Sequence, residues 1–232
     1  MNYVVCLKHG KKYGSEYVNR LYNMCKRHLT VPFEFVCFTE SNFRLLPEIK
    51  VYPLPDTKGM KGWWYKPMFF DKNLPVKGTI LYFDLDVVIF ENIDKLFTYE
   101  PGKFCIIRDF NRHVRPEWDK MNSSVFRLET GQHSHVYDNF VYDSKQALRL
   151  HGDQDWIYLQ TIKKEFSYWP DDWIRSYKWE MRGKPPMEFK NGKRNFKTIG
   201  EPIIEKDNCI AVFHGDPNPS ECKDPWVIDN WK

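Results

Sequence analysis

The feature that most constrains the fold is an apolar run over residues 80–90 that carries two carboxylates, Asp84 and Asp86, at its centre. A continuous apolar run rich in β-branched and aromatic residues predicts a strand buried on both faces, as in a sheet covered by helices. Side chains two apart on a strand point the same way, so both carboxylates would meet near its end. Burying two ionised carboxylates at such a short separation is unfavourable unless they are paired or bind a metal. Oxygen ligands of this kind suit Mg²⁺ or Mn²⁺.

The chain before and after this run alternates between strand and helix patterns. Strands are predicted at residues 3–7, 33–38, 49–54, 104–108, 124–128 and 210–213, and helices from the N-cap Ser15 onward, at 62–70 and at 155–164. This β-α-β opening predicts an α/β fold, a single Rossmann-like domain with a mostly parallel central sheet flanked by helices. Ligands of such sheets lie at the carboxyl ends of the strands, where residues 8–13 and the two carboxylates fall.

Composition narrows the class of protein. A length of 232 residues is typical of one sizeable domain, and the net charge of +4 fits an anionic substrate without requiring nucleic acid. Six cysteines without C-x-x-C pairs predict buried free thiols rather than disulfides or zinc. The absence of a signal-peptide pattern and of any long apolar window predicts a soluble cytoplasmic protein. The basic stretch 175–206 is predicted to be a long surface connection, with an acceptor- or phosphate-facing flap as its functional alternative.

Two enzyme families place D-x-D after an apolar strand. In haloacid-dehalogenase-like phosphatases the first Asp, here Asp84, is a nucleophile and usually follows the first strand of the domain. In nucleotide-sugar glycosyltransferases of the GT-A fold, a nucleotide-binding α/β unit comes first and D-x-D follows it. About eighty residues precede the motif here, so its position favours the glycosyltransferase. A non-catalytic protein that binds a nucleotide sugar is a third alternative.

Six short motifs in order extend this comparison over residues 3 to about 220. They are Leu7 with Tyr13, Trp64-Tyr65-Lys66, Asp84-Leu85-Asp86, Met121-Asn122-Ser123, Asp153-Gln154-Asp155 and Phe213-His214-Gly215. Their order resembles that of retaining GT-A glycosyltransferases of family 8, which include glycogenin-type and bacterial lipopolysaccharide enzymes. The resemblance implies one GT-A domain over residues 1–232, with a nucleotide-binding part over 1–90 and a donor-sugar and acceptor part over 91–232.

The resemblance also implies a role for each matching residue. Asp84, Asp86 and His214 would bind Mn²⁺ or Mg²⁺. The residues that would hold the UDP-sugar are Leu7, Lys8 and Tyr13 around the uracil, Lys66 near the diphosphate, Asn122 and Ser123 at the donor hydroxyls, and Leu85 and Gly215. Asp153, Gln154 and Asp155 would lie next to the anomeric carbon as catalytic residues. Retention by same-face attack and retention through a covalent intermediate on Gln154 or an Asp both stay open.

One departure concerns the lysine that grips the diphosphate in this family. The family commonly continues from His-Gly into Lys-Pro-Trp, whereas this chain continues Asp216-Pro217-Asn218-Pro219. Asn218, Lys223 and Lys178 are the alternatives for that position. The expected function is transfer of a hexose from UDP-glucose or UDP-galactose to an acceptor, with a lipid-linked glycan, a polysaccharide or other glycan, a protein and a nucleic-acid base all open.

Overall fold

The chain folds around a seven-stranded mixed sheet. The computed structural model describes residues 1–57, 60–113, 115–161, 166–182, 187–190, 193–196 and 201–232. The strands are β1 (Asn2–Lys8), β2 (Glu34–Thr39), β3 (Lys50–Tyr52), β4 (Thr79–Phe83), β5 (Val87–Ile89), β6 (Phe104–Arg108), β7 (Met121–Glu129), β8 (Phe166–Tyr168), β9 (Ile174–Ser176), β10 (Met187–Lys190), β11 (Lys193–Phe196) and β12 (Ile210–Val212). The α-helices are α1 (Ser15–His28), α2 (Lys95–Thr98), α3 (His135–Tyr142), α4 (Ser144–Ala147), α5 (Asp153–Thr161) and α6 (Pro225–Asn230). Three 3-10 helices cover Gly62–Phe70, Phe110–His113 and Pro219–Glu221, and a π-helix covers Tyr177–Met181.

The main sheet has the order β3-β2-β1-β4-β7-β6-β8. The first four strands are parallel, β7 is antiparallel to both of its neighbours, and β8 is parallel to β6. The predicted α/β class with a mostly parallel, helix-flanked sheet is therefore confirmed. Because β7 runs against β4, the beginning of β7 lies at the same edge as the carboxyl ends of β1 and β4. Polar residues from all three strands can meet there.

Apolar side chains fill the space on both faces of this sheet. Along β1, Val4 and Cys6 belong to one cluster of buried residues, while Val5 and Leu7 belong to the other. This alternation follows from the two-residue period of a strand. Helix α1 covers the first face, and the 3-10 helix Gly62–Phe70 packs its aromatic residues on the second. All six cysteines are buried and free, as the sequence predicts.

The run over residues 80–90 is not one strand, and this corrects the sequence prediction. β4 ends at Phe83 in the main sheet, and β5 belongs to a separate three-stranded sheet with β12 and β9. Asp84 and Asp86 lie in the turn between them. The apolar pattern did not reveal the break because both strands are fully buried. The carboxylates thus meet in a turn at the edge of the sheet and not on one face of a strand.

Other boundaries also differ from the sequence prediction. Helix α1 begins at Ser15 with Gly14 in the N-cap position, so Ser15 is not the cap. Helix α5 begins at Asp153, and residues 162–164 of the predicted helix lie outside the described residues. The stretch 175–206 is more regular than a surface connection, since it contains the end of β9, the π-helix and the β10–β11 hairpin. Within that stretch, residues 183–186, 191–192 and 197–200 lie outside the described residues.

No helix among the described residues combines the length and apolar character needed to cross a membrane.

Candidate active site

A pocket lies at the carboxyl ends of β1 and β4, the edge at which the sequence predicts a ligand site. Its volume is about 250 Å³. It is lined by Leu7, His9, Lys12, Tyr13, Gly62, Trp63, Lys66, Tyr82, Asp84, Leu85 and Asp86. Aliphatic and aromatic groups thus face cations and carboxylates across one small space. Such a lining suits a ligand that has both a flat ring and a charged group.

Lys66 is the buried centre of the charge network at the floor of this pocket. Its Nζ lies 2.9 Å from Asp84 Oδ1 and 3.7 Å from Asp153 Oδ2, and it donates a hydrogen bond to Ser123 Oγ at 3.1 Å. Ser123 Oγ donates in turn to Asp153 Oδ2 at 2.6 Å. The Lys66 and Asp153 side chains are each 7% exposed, so this network is largely shielded from solvent.

The charges of these buried groups depend on one another. Burial lowers the pKa of Lys66, but the carboxylates of Asp153 and Asp84 outweigh that effect and raise it, so the ammonium stays charged. Burial raises the pKa of Asp153, and Lys66 and the Ser123 hydroxyl oppose the rise. The network is therefore stable as a unit, and removing its cation would leave carboxylates buried without a partner.

Asp86 has a different environment from Asp84. Its Oδ2 accepts a hydrogen bond from the Tyr13 hydroxyl at 2.9 Å. Burial and the nearby charge of Asp84 raise the pKa of Asp86 to about 6, although the Tyr13 hydrogen bond opposes this. The Tyr13 ring packs against Tyr17, with 4.7 Å between ring centroids. Among the described residues, no cation forms an ion pair with Asp86, whereas Asp84 is paired with Lys66.

A second pocket of about 300 Å³ adjoins the first. It is lined by Trp63, Lys66, Asp84, Asp86, Asn122, Ser123, Ser124, His151, Gly152, Asp153, Gln154, His214 and Gly215. Four of these residues, Trp63, Lys66, Asp84 and Asp86, line both pockets. The two carboxylates of the D-x-D motif therefore lie at the junction of a pocket rich in aromatic groups and a strongly polar one.

Strand β7 and helix α5 bring polar residues into the second pocket. Strand β7 places Asn122 and Ser123 beside Asp84, and the Asp84 N–H donates to the Ser124 carbonyl at 2.8 Å. The start of α5 supplies Asp153 and Gln154. The Gln154 side-chain amide donates to Asp109 Oδ2 at 3.0 Å, which holds its orientation.

The three-stranded sheet of β5, β12 and β9 positions His214, which follows β12. The Phe213 N–H donates to the Asp86 carbonyl at 2.9 Å, so the residue after it lies beside the D-x-D turn. A hydrogen bond of 2.6 Å joins His214 Nε2 to Ser176 Oγ, the N-cap of the π-helix, and the ring stacks on Phe110. Burial, followed by the charge of Lys178, lowers the pKa of His214 to about 3, so its imidazole is neutral.

Lys178 is the diphosphate-lysine candidate that lies beside the His214-Gly215 segment. Gly215 has a φ of +80°, and a Cβ on it would come within 3.0 Å of Lys178 Nζ, so only glycine suits this position. Asn218 instead caps the 3-10 helix Pro219–Glu221, and Lys223 is exposed. Lys12, Lys66 and Lys178 supply positive charge around the junction, and Asp84, Asp86 and Asp153 supply negative charge.

The fit of this site to a divalent cation can be judged from its donor groups. Within the described part of the chain, no three His, Cys, Asp or Glu side chains are grouped closely enough to hold a metal as they stand. By chemistry, however, Asp84, Asp86 and His214 suit one, because they combine two mutually repelling carboxylates with a neutral imidazole in a shared cleft. A cation between the carboxylates would remove their repulsion.

Of the residues expected to bind the metal or the UDP-sugar or to act in catalysis, all but two line the two pockets. Lys8 lies at the end of β1 outside both linings, and Asp155 pairs with Lys120 at 3.2 Å instead of facing either pocket. Residues that had no role assigned from the sequence also line the site, namely His9, Lys12, Gly62, Trp63, Tyr82, Ser124, His151 and Gly152. Lys12 belongs to the basic loop after β1, so its position in the chain was its only signal.

The raised pKa of Asp86 predicts a pH-dependent effect on stability. An acid whose folded pKa lies above its unfolded value of about 3.9 destabilises the fold above that pH, and the effect fades as pH falls. We expect Asp86→Asn to raise the free energy of unfolding of the metal-free protein by about 1–2 kcal/mol at pH 7.5, after allowance for solvent screening. Urea unfolding in EDTA should show this gain shrinking between pH 6 and pH 4. A gain independent of pH would contradict this origin.

Comparison with known proteins adds to this geometry. No family model and no curated protein sequence matches the chain. Two structures of LgtC share its fold. The structure of an active-site mutant of LgtC has a TM-score of 0.62 and 10% sequence identity, and the match covers 99% of this chain and 93% of LgtC. The structure of the galactosyltransferase LgtC in complex with donor and acceptor sugar analogs has a TM-score of 0.60 and 11% identity, and the match covers 94% of this chain and 89% of LgtC.

Two further solved structures of glycosyltransferases also match the fold of this chain. Mouse xyloside xylosyltransferase 1 has a TM-score of 0.51 and 18% identity over 76% of this chain and 88% of that one. The apo form of the glycosyltransferase GlyE of Streptococcus pneumoniae TIGR4 has a TM-score of 0.59 and 10% sequence identity, and the match covers 99% of this chain and 61% of GlyE. The chain therefore has the GT-A fold of these glycosyltransferases, as its sequence predicts.

Proposed function

We propose that the protein is a metal-dependent glycosyltransferase that transfers a hexose from UDP-glucose or UDP-galactose to an acceptor, with retention of configuration. The observation that carries this proposal is the position of Asp84 and Asp86 at the junction of the two pockets. One pocket offers a place for a base and ribose, the other offers polar groups for a sugar, and a diphosphate would lie between them. The fold shared with sugar-transferring enzymes supports this assignment.

The leaving group determines what the residues at the junction have to do. Breaking the bond between the sugar and UDP leaves negative charge on the diphosphate. A divalent cation held by Asp84, Asp86 and His214 would neutralise that charge as a Lewis acid. Lys12 and Lys178 add fixed positive charge on either side, and such pre-positioned charge stabilises the transition state.

The second pocket would hold the donor sugar. Asn122 and Ser123 face its hydroxyls, and Asp153 and Gln154 face the carbon that develops positive charge, as in glycoside hydrolysis. Asp153 is buried and already paired with Lys66 and Ser123. Its carboxylate therefore serves to orient the sugar and to stabilise positive charge. Gln154, oriented by its hydrogen bond to Asp109, lines the same pocket.

The proposal is tested by UDP release from a panel of UDP-sugars without acceptor, in Mn²⁺, in Mg²⁺ and in EDTA. We expect slow release from UDP-glucose or UDP-galactose that requires the cation, because water can replace the acceptor. UDP binding without release, measured also with a panel of sugar acceptors, would indicate a nucleotide-sugar-binding protein instead. Hydrolysis of an aryl phosphate with Mg²⁺, together with no binding of UDP, would favour the phosphatase alternative.

A further inference from the structure

Trp63 borders both pockets at their solvent side. It lines each of them and is 56% exposed, whereas the Lys66 side chain three residues later is only 7% exposed. Side chains at i and i+3 of a 3-10 helix lie over one another. Lys66 therefore forms the floor of the shared space, and the Trp63 indole forms its rim.

The indole approaches the start of α5 at the mouth of the second pocket. A Cβ built on Gly152 would lie 3.9 Å from Trp63 Nε1, so this edge of the indole is close to the residue that precedes α5. His151, which also lines the second pocket, is exposed beside it. Trp63 and His151 thus both lie at the solvent-facing mouth of the second pocket, where a second substrate would enter.

A single exposed aromatic residue is ordinary, but this one is held in place. It belongs to a helix anchored by buried neighbours, among them Trp64 and Met68, so its ring has a defined position at low entropic cost. Tyr142, by contrast, is 92% exposed at the end of α3 and lines neither pocket. A fixed indole offers a flat apolar face and one N–H donor. A pyranose ring offers the complement, a face of C–H groups bordered by hydroxyls.

We propose that Trp63 and His151 form the acceptor subsite and that the acceptor is a glycan whose pyranose ring stacks on the indole. This inference rests on the proposed function, in which the donor sugar occupies the polar interior of the second pocket. The acceptor must then lie between the donor and solvent, at the mouth. There a hydroxyl oxygen of the acceptor forms the new bond to the anomeric carbon, the bond to UDP breaks with its electron pair, and the hydroxyl proton passes to the departing phosphate.

The test is sugar binding by the wild type and three variants. Methyl α-glucoside, methyl β-galactoside, maltose and lactose are titrated into the protein by calorimetry, with and without UDP and Mn²⁺. We expect at least one sugar to bind, to bind at least tenfold more weakly to Trp63→Ala, and to bind within threefold of wild type to Trp63→Phe. Tyr142→Ala, the matched loss of an exposed ring, should leave sugar binding unchanged.

A second measurement does not depend on the folding of the alanine variant. In wild-type protein labelled with 5-fluorotryptophan, the ¹⁹F resonance absent from Trp63→Phe belongs to Trp63, and it should shift when the sugar is added. Equal sugar binding by wild type and Trp63→Ala, no ¹⁹F shift, or no binding of any of the four sugars in either condition would overturn the inference. UDP binding is recorded separately. Its failure would refute the proposed function, and sugar binding that depends on Trp63 would then indicate a pyranose-binding site that is not an acceptor subsite.

Discussion

Replacing Asp86 with asparagine is expected to reduce UDP release from the preferred UDP-sugar about 100-fold or more. Asparagine has nearly the same size, and its amide oxygen can still accept the hydrogen bond from Tyr13. What it lacks is the second negative charge beside Asp84, which the proposed cation requires. The measurement is the initial rate of UDP release at saturating Mn²⁺, compared with the wild type under the same conditions.

The matched control for this change is Asp229→Asn, which removes an exposed carboxylate on α6, outside both pockets. It should keep the wild-type rate. Because Asp86→Asn should also stabilise the metal-free protein at neutral pH, a lost rate together with raised stability would exclude misfolding as the cause. Full activity of Asp86→Asn would refute the role proposed for the D-x-D carboxylates.

Replacing Lys66 with methionine is expected to lower the free energy of unfolding by about 3 kcal/mol at pH 7.5. Methionine fills similar space, but it leaves Asp84 and Asp153 next to each other without their cation. Breaking a buried pair in this way costs more than the pair contributes, since an uncompensated charge remains. Urea unfolding followed by fluorescence measures the change. The matched control, Lys50→Met, removes an exposed lysine paired with Glu34 and should leave the unfolding midpoint unchanged within error.

Two further observations would identify charge as the cause of this loss. The raised pKa of Asp153 should rise further without Lys66, and an acid with a raised folded pKa destabilises the protein less as pH falls through that value. The loss in Lys66→Met should therefore shrink as the pH is lowered from 7.5 toward 5. The double variant Lys66→Met/Asp153→Asn should recover part of it. A loss that is the same at every pH and in the double variant would instead indicate packing.

The strands that were predicted correctly are those whose signal lies in a few neighbouring residues. Short continuous apolar runs predict β1, β2 and β6 nearly to their ends. The same logic failed over residues 80–90, because a turn between two buried strands leaves no mark in an apolar run. The π-helix Tyr177–Met181 was also invisible in sequence, since the contacts of Tyr177 with Asp224 and of Glu180 with Arg112 join it to distant segments.

The sequence likewise indicated some residues of the candidate site and missed others. Asp84 and Asp86 could be singled out because two carboxylates in an apolar run suggest a metal, and the family resemblance added His214. Nothing in the sequence relates Trp63 to Gly152, 89 positions later. The resemblance also implies the same role for Asp155 as for Asp153. A helix turns by about 100° per residue, so the start of α5 directs Asp155 to Lys120 and keeps Asp153 in the pocket.

The sequence by itself determined the class of fold and the residue types available for chemistry, because hydrophobic periodicity and the desolvation of carboxylates act over a few neighbouring positions. The tertiary structure alone decided which of those residues meet. It paired Lys66 with Asp84 and Asp153, brought His214 beside the D-x-D turn through the pairing of β12 with β5, and set Trp63 at the mouth. These contacts join segments far apart in the chain, and their geometry depends on how two sheets pack, which no local pattern encodes.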